Sequence, residues 1–188
     1  MIKLHEREKL INAAVFFAEN TKYCGKIKLI KLLYLLDFEH FRQTGRNVTG
    51  LEYRAWRMGP VPVALYQEWD APEPDLSEAI EIVPEKVFDF VREQVVPRRA
   101  FDASHFTRRE LRLMSELASK FRDELSKPLV NYTHAELGPW SKIWDGGRGD
   151  QERIPYSLAV ADNDPHGQEV LESARDHRGT MLASSLTH

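Results

Sequence analysis

The sequence of 188 residues contains a single cysteine, Cys24. One cysteine forms no disulfide within the chain and builds no zinc site of the Cys-x-x-Cys type, and such chains are typical of reducing compartments. The sequence also lacks the apolar run of about 18 residues that a membrane-spanning helix needs. Its charged start, residues 1–9, has no apolar centre of the kind found in signal peptides. These absences predict a cytoplasmic protein without a membrane partner.

An excess of basic residues is also missing. The chain holds 26 Lys and Arg against 29 Asp and Glu, which gives a formal net charge of −3. Its pI is near 6.2, whereas dedicated nucleic-acid-binding domains tend to have a pI above about 9. Hydrophobic residues make up 42% of the chain, enough for the core of a globular domain. The composition therefore favours one globular domain over a dedicated nucleic-acid binder.

Motifs of the common catalytic sites are absent as well. His134-x-Glu136 matches the beginning of the zinc deaminase motif, but the remainder of that motif requires cysteines that the chain does not have. No His-Glu-x-x-His, Gly-x-Ser-x-Gly or Walker-type motif occurs, and the seven histidines are scattered. We therefore predict no catalytic residue, no metal ligand and no cofactor.

Hydrophobic periodicity predicts a mainly helical chain with short extended segments and a long C-terminal tail. We predict amphipathic helices over residues 6–19, 26–42 and 107–125. The second is apolar nearly all round, which is typical of a central helix, and Lys28 and Lys31 share its narrow polar stripe. Gly45 is placed to end this helix, and Thr107 with Glu110 fits a capping box that begins the third.

Prolines and turn residues divide the remainder of the chain. Residues 53–58 are predicted to form a short extended segment before a tight turn, with Pro60 and Pro62 at the entrance of a helix that runs to Trp69. The prolines of residues 71–75 predict a linker. Further predictions are a modest helix over residues 84–94, a short strand within 95–106, and short helices at 126–136, 140–144 and 155–161.

The last 27 residues form the least apolar part of the chain, with only seven apolar positions. Such a segment has too few apolar side chains for a core of its own. We therefore divide the chain into a domain over residues 1–161 and a tail or docked accessory helix over residues 162–188.

Two segments combine aromatic and polar residues and run into Gly-Pro, namely residues 53–60 and residues 133–139 followed by Trp140. Trp and Arg side chains anchor many protein interfaces because they combine a large apolar area with directed hydrogen bonds. An alternative is that Trp56 and Trp140 fill the core while Arg57 pairs with Glu136 or Asp37. Both interpretations stay open at the level of sequence.

Three segments carry a family resemblance, and they are Lys28-Leu-Ile-Lys31-Leu-Leu-Tyr34, Tyr53-Arg-Ala-Trp56-Arg57-Met-Gly59-Pro60-Val61 and Thr133-His134-x-Glu136-x-Gly138-Pro139-Trp140. They are similar to the signature blocks of the Panacea domain, also called the SocA-like antitoxin domain, and occur in the same order. The resemblance covers residues 10–161. It implies a mainly helical domain with a small β element that acts as the antitoxin of a bacterial or phage-borne toxin–antitoxin pair.

The partner that the resemblance implies is a cognate protein toxin. The antitoxin would neutralise it by direct binding, or as an adaptor that delivers it to a cytoplasmic protease. The candidate partner-binding residues are Lys28, Lys31, Tyr34, Arg54, Trp56, Arg57, Tyr66, His134 and Trp140. The long segment 71–106 and the tail after Asp162 inherit no role from the resemblance, so we expect them to be places where a particular partner is recognised.

Two other functions remain as alternatives. A hydrolase-type enzyme could use His134 and Glu136 as acid and base, although residues two apart on a helix do not face each other. A DNA-binding autoregulator could use a basic patch formed by residues 98–99 and 108–109, which are four arginines.

Overall fold

The structure is a computed structural model that describes residues 5–87, 89–135 and 138–185. Two long helices begin it, α1 (Glu6–Asn20) and α2 (Lys26–Thr44), and both agree with the predicted periodicity. Gly45 ends α2 in the left-handed conformation, with φ of 73°. A glycine is favoured there because it has no Cβ to clash in that conformation.

A small hairpin follows, formed by β1 (Tyr53–Trp56) and β2 (Gly59–Pro62). The strands are antiparallel, with Trp56 opposite Gly59. The predicted extended segment and tight turn are thus confirmed. Helix α3 (Val63–Glu68) begins directly after Pro62, whereas Pro60 lies within β2 rather than at the helix entrance.

The prediction of a helix over residues 84–94 is wrong. After α4 (Pro74–Ala79), which begins inside the predicted linker, the chain forms a second antiparallel hairpin of β3 (Ile80–Val87) and β4 (Phe90–Pro97). The predicted strand of segment 95–106 is the end of β4. A short apolar run fits the helical and the extended period about equally, so the pattern was ambiguous. Among the described residues this sheet has two strands, so β3 is an edge strand, and edge strands tolerate proline at positions such as Pro84.

The second half of the chain returns to helices. Thr107 caps α5 (Arg108–Lys120) as predicted, since its hydroxyl accepts from Glu110 N at 3.3 Å while Glu110 Oε2 accepts from Thr107 N at 2.7 Å. The remaining helices are α6 (Ser126–Thr133), α7 (Pro139–Trp144) and α8 (Gly167–Ser185). The helix predicted at 155–161 is a 3₁₀ helix, Tyr156–Ala159, and another 3₁₀ helix spans Asp145–Gly147.

Helix α2 lies at the centre and packs against α1, α5, α6, α8 and β2. The buried apolar cluster runs from Leu10 to Ile154 and includes Cys24. Helix α8 docks on the end of α2, where a Cβ on Gly45 would lie 2.6 Å from the Val170 carbonyl oxygen. Within the described ranges, no helix is long and apolar enough to span a lipid bilayer.

Candidate functional site

The three signature segments meet at Gly59, the first residue of β2. A Cβ built on Gly59 would lie 2.5 Å from Lys31 Nζ and 2.6 Å from His134 Nε2. Lys31 comes from the middle of α2, and His134 follows the last residue of α6. Gly59 also has φ of 107°, which disfavours any residue with a Cβ. We call the set of Lys31, Gly59, His134 and Trp140 the motif junction.

Stacked rings hold one side of the motif junction. The His134 and Trp140 rings stack with centroids 3.8 Å apart and an interplanar angle of 9°. Trp144 stacks on the other end of this pair, 5.6 Å from Trp140. Trp140 Nε1 also donates to the Trp56 carbonyl oxygen at 3.0 Å. The short helix α7 is therefore fixed to β1 through a partly buried hydrogen bond.

The electrostatics of the junction favour neutral side chains. Lys31 is 2% exposed and donates from Nζ to the Pro60 carbonyl oxygen at 3.0 Å. Burial lowers the pKa of Lys31 to about 7. Burial also lowers the pKa of His134, and the nearby charge of Lys31 lowers it further. An amine and an imidazole of this kind are suited to proton transfer, but here they face the backbone of Gly59 and Pro60.

The predicted partner-binding residues fall into groups of different exposure. Lys28, Lys31, Tyr34 and Trp140 are buried. Trp56, Tyr66 and His134 are half-buried, while Arg54 and Arg57 are exposed. Lys28 and Lys31, which share the narrow polar stripe of α2 in the sequence, therefore both lie inside the protein.

Lys28 shows what such a buried amine does. Its Nζ donates to the carbonyl oxygens of Glu124 at 2.6 Å, Lys22 at 2.7 Å and Phe121 at 2.8 Å. It thus ties the residues after α5 to those before α2. Burial lowers the pKa of Lys28. Sequence patterning places a lysine on the surface by default, so only the folded chain reveals this role.

Asp37, in the middle of α2, is a second buried polar centre. It accepts from the backbone N–H groups of Val48 and Thr49, each at 2.8 Å, and from the Tyr53 hydroxyl at 2.8 Å. Burial raises the pKa of Asp37 to about 6, although these hydrogen bonds oppose the shift. Asp37 therefore anchors the loop before β1, and it is not the partner of the exposed Arg57. The other suggested partner, Glu136, lies outside the described residues.

A groove of about 530 Å³ lies beside the motif junction, between α2, α5 and the segment from α6 to α7. We call it the α2–α5 groove, and we define it by Tyr34, Phe38, Leu113, Leu117, Tyr132 and Pro139. Charged residues at its rim include Glu116 and Lys120, and Lys120 Nζ lies 4.0 Å from the centre of the Tyr132 ring. The Tyr34 hydroxyl is buried beside the backbone of Trp140, and this burial raises the pKa of Tyr34. Apolar walls with a few polar groups are typical of binding sites.

The second hairpin exposes apolar residues that sequence reasoning missed. Phe90 and Val91, next to the turn, are 57% and 64% exposed. Tyr23 is also exposed, and the Arg92 guanidinium lies 5.1 Å from its ring centre. The wrong prediction of a helix over residues 84–94 gave no indication of this surface, because a helical pattern does not predict an exposed hairpin turn.

The structure gives limited support to the other candidate sites. In the part of the chain that it describes, no group of three or more His, Cys, Asp or Glu could hold a metal ion. Cys24 is buried, which raises its pKa to about 11. In the suggested basic patch, Arg98 pairs with Glu81 and Arg109 donates to Gln43.

The structure is a mainly helical domain around a central helix, and four of the candidate residues from the signature segments, Lys28, Lys31, Tyr34 and Trp140, lie in its interior. A family model described as "Antitoxin SocA-like, Panacea domain" matches residues 29–141, more than half of the chain. The chain belongs to this family, which confirms the resemblance, and an antitoxin family implies a toxin partner in general. Curated proteins gave no match, and solved structures gave none either.

Proposed function

We propose that this protein is an antitoxin that neutralises a cognate protein toxin by direct binding in the cytoplasm, and that the toxin docks at the α2–α5 groove. The observation that carries the proposal is the groove itself, with apolar walls beside the rigid motif junction. Interface affinity is concentrated in a few anchors that fill well-packed pockets. A groove of about 530 Å³ is large enough for one or two such side chains.

Charged side chains at the rim complement the apolar walls of the groove. Glu116 and Lys120 at the rim carry opposite charges and would set the orientation of the toxin.

The candidate residues then divide by role. Tyr34 lines the groove, while Lys28, Lys31, His134 and Trp140 are positioning residues that hold the groove in shape. Arg54, Trp56, Arg57 and Tyr66 belong to the surface around β1 and α3. Arg54 already donates to the Gln151 carbonyl oxygen at 2.9 Å, so Arg57 is the freer of the two arginines.

Co-expression with the product of the neighbouring gene, as the candidate toxin, tests the proposal in cells. We expect the wild-type chain to restore growth, and Leu117→Glu, which places a charge in the groove wall, to lose this rescue. Leu125→Glu is the matched control, because Leu125 is exposed and lies outside the groove. Equal rescue by both variants, at equal melting temperature, would contradict docking at the groove.

The amount of toxin in the same cells distinguishes two mechanisms. Direct binding predicts that the toxin persists while its activity is suppressed. A toxin that disappears in a protease-dependent manner would instead support the adaptor mechanism.

A further inference from the structure

Helix α8 separates its charges onto different faces. Glu169, Glu172 and Asp176 follow one face at spacings of three and four residues. Arg175 and Arg178 lie on another face, together with Leu182. A surface helix that only keeps a protein in solution does not need its acidic and basic residues on different faces, because a mixture of both charges on one surface is sufficient.

The basic face of α8 borders a second groove, of about 670 Å³. Arg175 and Arg178 line one side of it, and Arg153, which precedes the 3₁₀ helix 156–159, lines the other. Phe41 and Leu171 contribute apolar wall. Among the described residues, no Asp or Glu lines this groove. We call it the arginine groove.

The guanidinium groups of the arginine groove are only partly neutralised. Arg153 pairs with Glu52 at 2.7 Å, at the rim shared with the neighbouring cavity. Arg175 and Arg178 form no ion pair in the part of the chain that the structure describes. On the adjoining side of α8, burial lowers the pKa of His177, and the positive charge of Arg46 lowers it further. In a chain of net charge −3, this groove is thus a local positive surface.

We propose that the arginine groove binds an acidic, amphipathic segment of a partner protein. The charge argues for carboxylates, because guanidinium groups bind them through paired hydrogen bonds. The apolar wall argues for a peptide with apolar side chains rather than for a nucleic-acid strand. The two large rings of the groove are not free to stack on bases, since Phe41 is 9% exposed and packs on Tyr156 with centroids 5.5 Å apart. The assignment of this segment to the toxin rests on the proposed function. The preference of the groove for acidic peptides does not depend on that function.

Fluorescence anisotropy with labelled synthetic probes tests the proposal on the full-length protein. The probes are a helical peptide of Glu and Leu, the same peptide with Lys in place of Glu, and a single-stranded DNA oligonucleotide of equal negative charge. The variant is the double charge reversal Arg175→Glu with Arg178→Glu. The matched control is Arg99→Glu with Arg122→Glu, which makes the same charge change at exposed positions outside the groove.

We expect the acidic peptide to bind the wild-type chain, with an affinity that falls as salt is added. The groove variant should bind this peptide at least about tenfold more weakly, while the control binds as the wild type does. Equal loss in both variants, tighter binding of the DNA or of the basic peptide, or binding that follows self-association of the chain would overturn the proposal.

The same variants in a titration with the candidate toxin separate the two proposals. Toxin binding that weakens in the groove variant alone supports the assignment of the acidic segment to the toxin. Toxin binding that is equal in all three chains overturns that assignment and leaves the proposed function intact. A wild-type chain that binds no toxin contradicts the proposed function, and the peptide result still decides the groove.

Discussion

Gly59 is the residue on which the motif junction depends most. Its backbone has φ of 107°, and the side-chain nitrogen atoms of Lys31 and His134 occupy the space that a Cβ would need. Lys31, His134 and the turn of the first hairpin therefore meet only because this position has no side chain. The aromatic stack on Trp140 and the hydrogen bond to Trp56 then connect the junction to α7 and β1.

We expect Gly59→Ala to lower the free energy of unfolding by about 2 kcal/mol, because it combines backbone strain with a clash at Lys31 and His134. Urea unfolding followed by circular dichroism measures this change. Gly179→Ala is the control, since Gly179 lies in α8 with nothing within 4 Å of its Cβ position, and we expect it to be neutral or slightly stabilising. Equal effects of the two variants would show that the junction is not crowded.

Lys31 predicts a pH dependence of stability. Its pKa is about 7 in the folded chain and near 10.5 when exposed, so unfolding takes up a proton between these values. Raising the pH makes that uptake less favourable, and stability therefore rises with pH in this window. From pH 7 to pH 9 we expect the unfolding free energy of the wild type to rise relative to that of Lys31→Met, by at most about 1.4 kcal/mol per pH unit. Parallel curves for the two chains would contradict the burial of a neutral amine.

At the scale of elements, the second hairpin is anchored at its base and exposed at its turn. Val95 is buried in β4, and its N–H donates to the Cys24 carbonyl oxygen at 2.8 Å. Phe90 and Val91, at the other end of the same strand, are exposed. A two-stranded hairpin is marginal alone, so its packing against α1 and α2 decides whether it forms.

We expect Val95→Ala to lower the free energy of unfolding by about 2 kcal/mol through the cavity that it leaves. Val91→Ala, the same change in the same strand, should have an effect within about 0.5 kcal/mol because Val91 is largely in solvent already. Thermal unfolding of the two variants tests this pair. A larger loss at Val91 would indicate that the turn end is packed.

The elements that the sequence predicted well are those with long, uninterrupted periodicity. Helices α1, α2 and α5 have this property, and Gly45 and Thr107 mark boundaries by their local chemistry. The failure between residues 80 and 97 has a physical reason. That stretch is short and mixed in pattern, and its strand pairing is decided by contacts with α1 and α2 that lie far away in sequence.

The candidate site was predictable in residue identity and unpredictable in arrangement. The resemblance selected Lys28, Lys31, His134 and Trp140, but a pattern in one dimension does not show that an amine is buried against distant carbonyl oxygens. The same limit applies to Asp37, whose one sequence signal is an acidic residue within an apolar helix. Burial and long-range pairing arise only when the segments pack.

In the molecule as a whole, helix α8 contributes no described residue to the buried apolar cluster. Every residue of the buried apolar cluster lies between Leu10 and Ile154. Helix α8 adds contacts to the end of α2 and one wall of the arginine groove. The division into a domain over residues 1–161 and an accessory tail over 162–188 therefore makes a prediction of its own.

We expect a chain that ends at residue 161 to fold cooperatively, because it keeps the entire buried cluster. Its far-ultraviolet circular dichroism should lose the contribution of one helix and retain a single thermal transition. It should also bind the candidate toxin more weakly, since the arginine groove is open without α8. A chain that fails to fold would show that α8 belongs to the domain.

The proposed docking of the toxin at the α2–α5 groove predicts a specific pattern of affinities. It is measured by calorimetric titration of the purified candidate toxin into the wild type, Leu117→Glu and Leu125→Glu. We predict equal affinity for wild type and Leu125→Glu, and affinity at least about a hundredfold lower for Leu117→Glu, as expected when an anchor pocket is blocked. Equal affinity of all three folded chains, or no binding by the wild type, would rule out docking of the toxin at this groove.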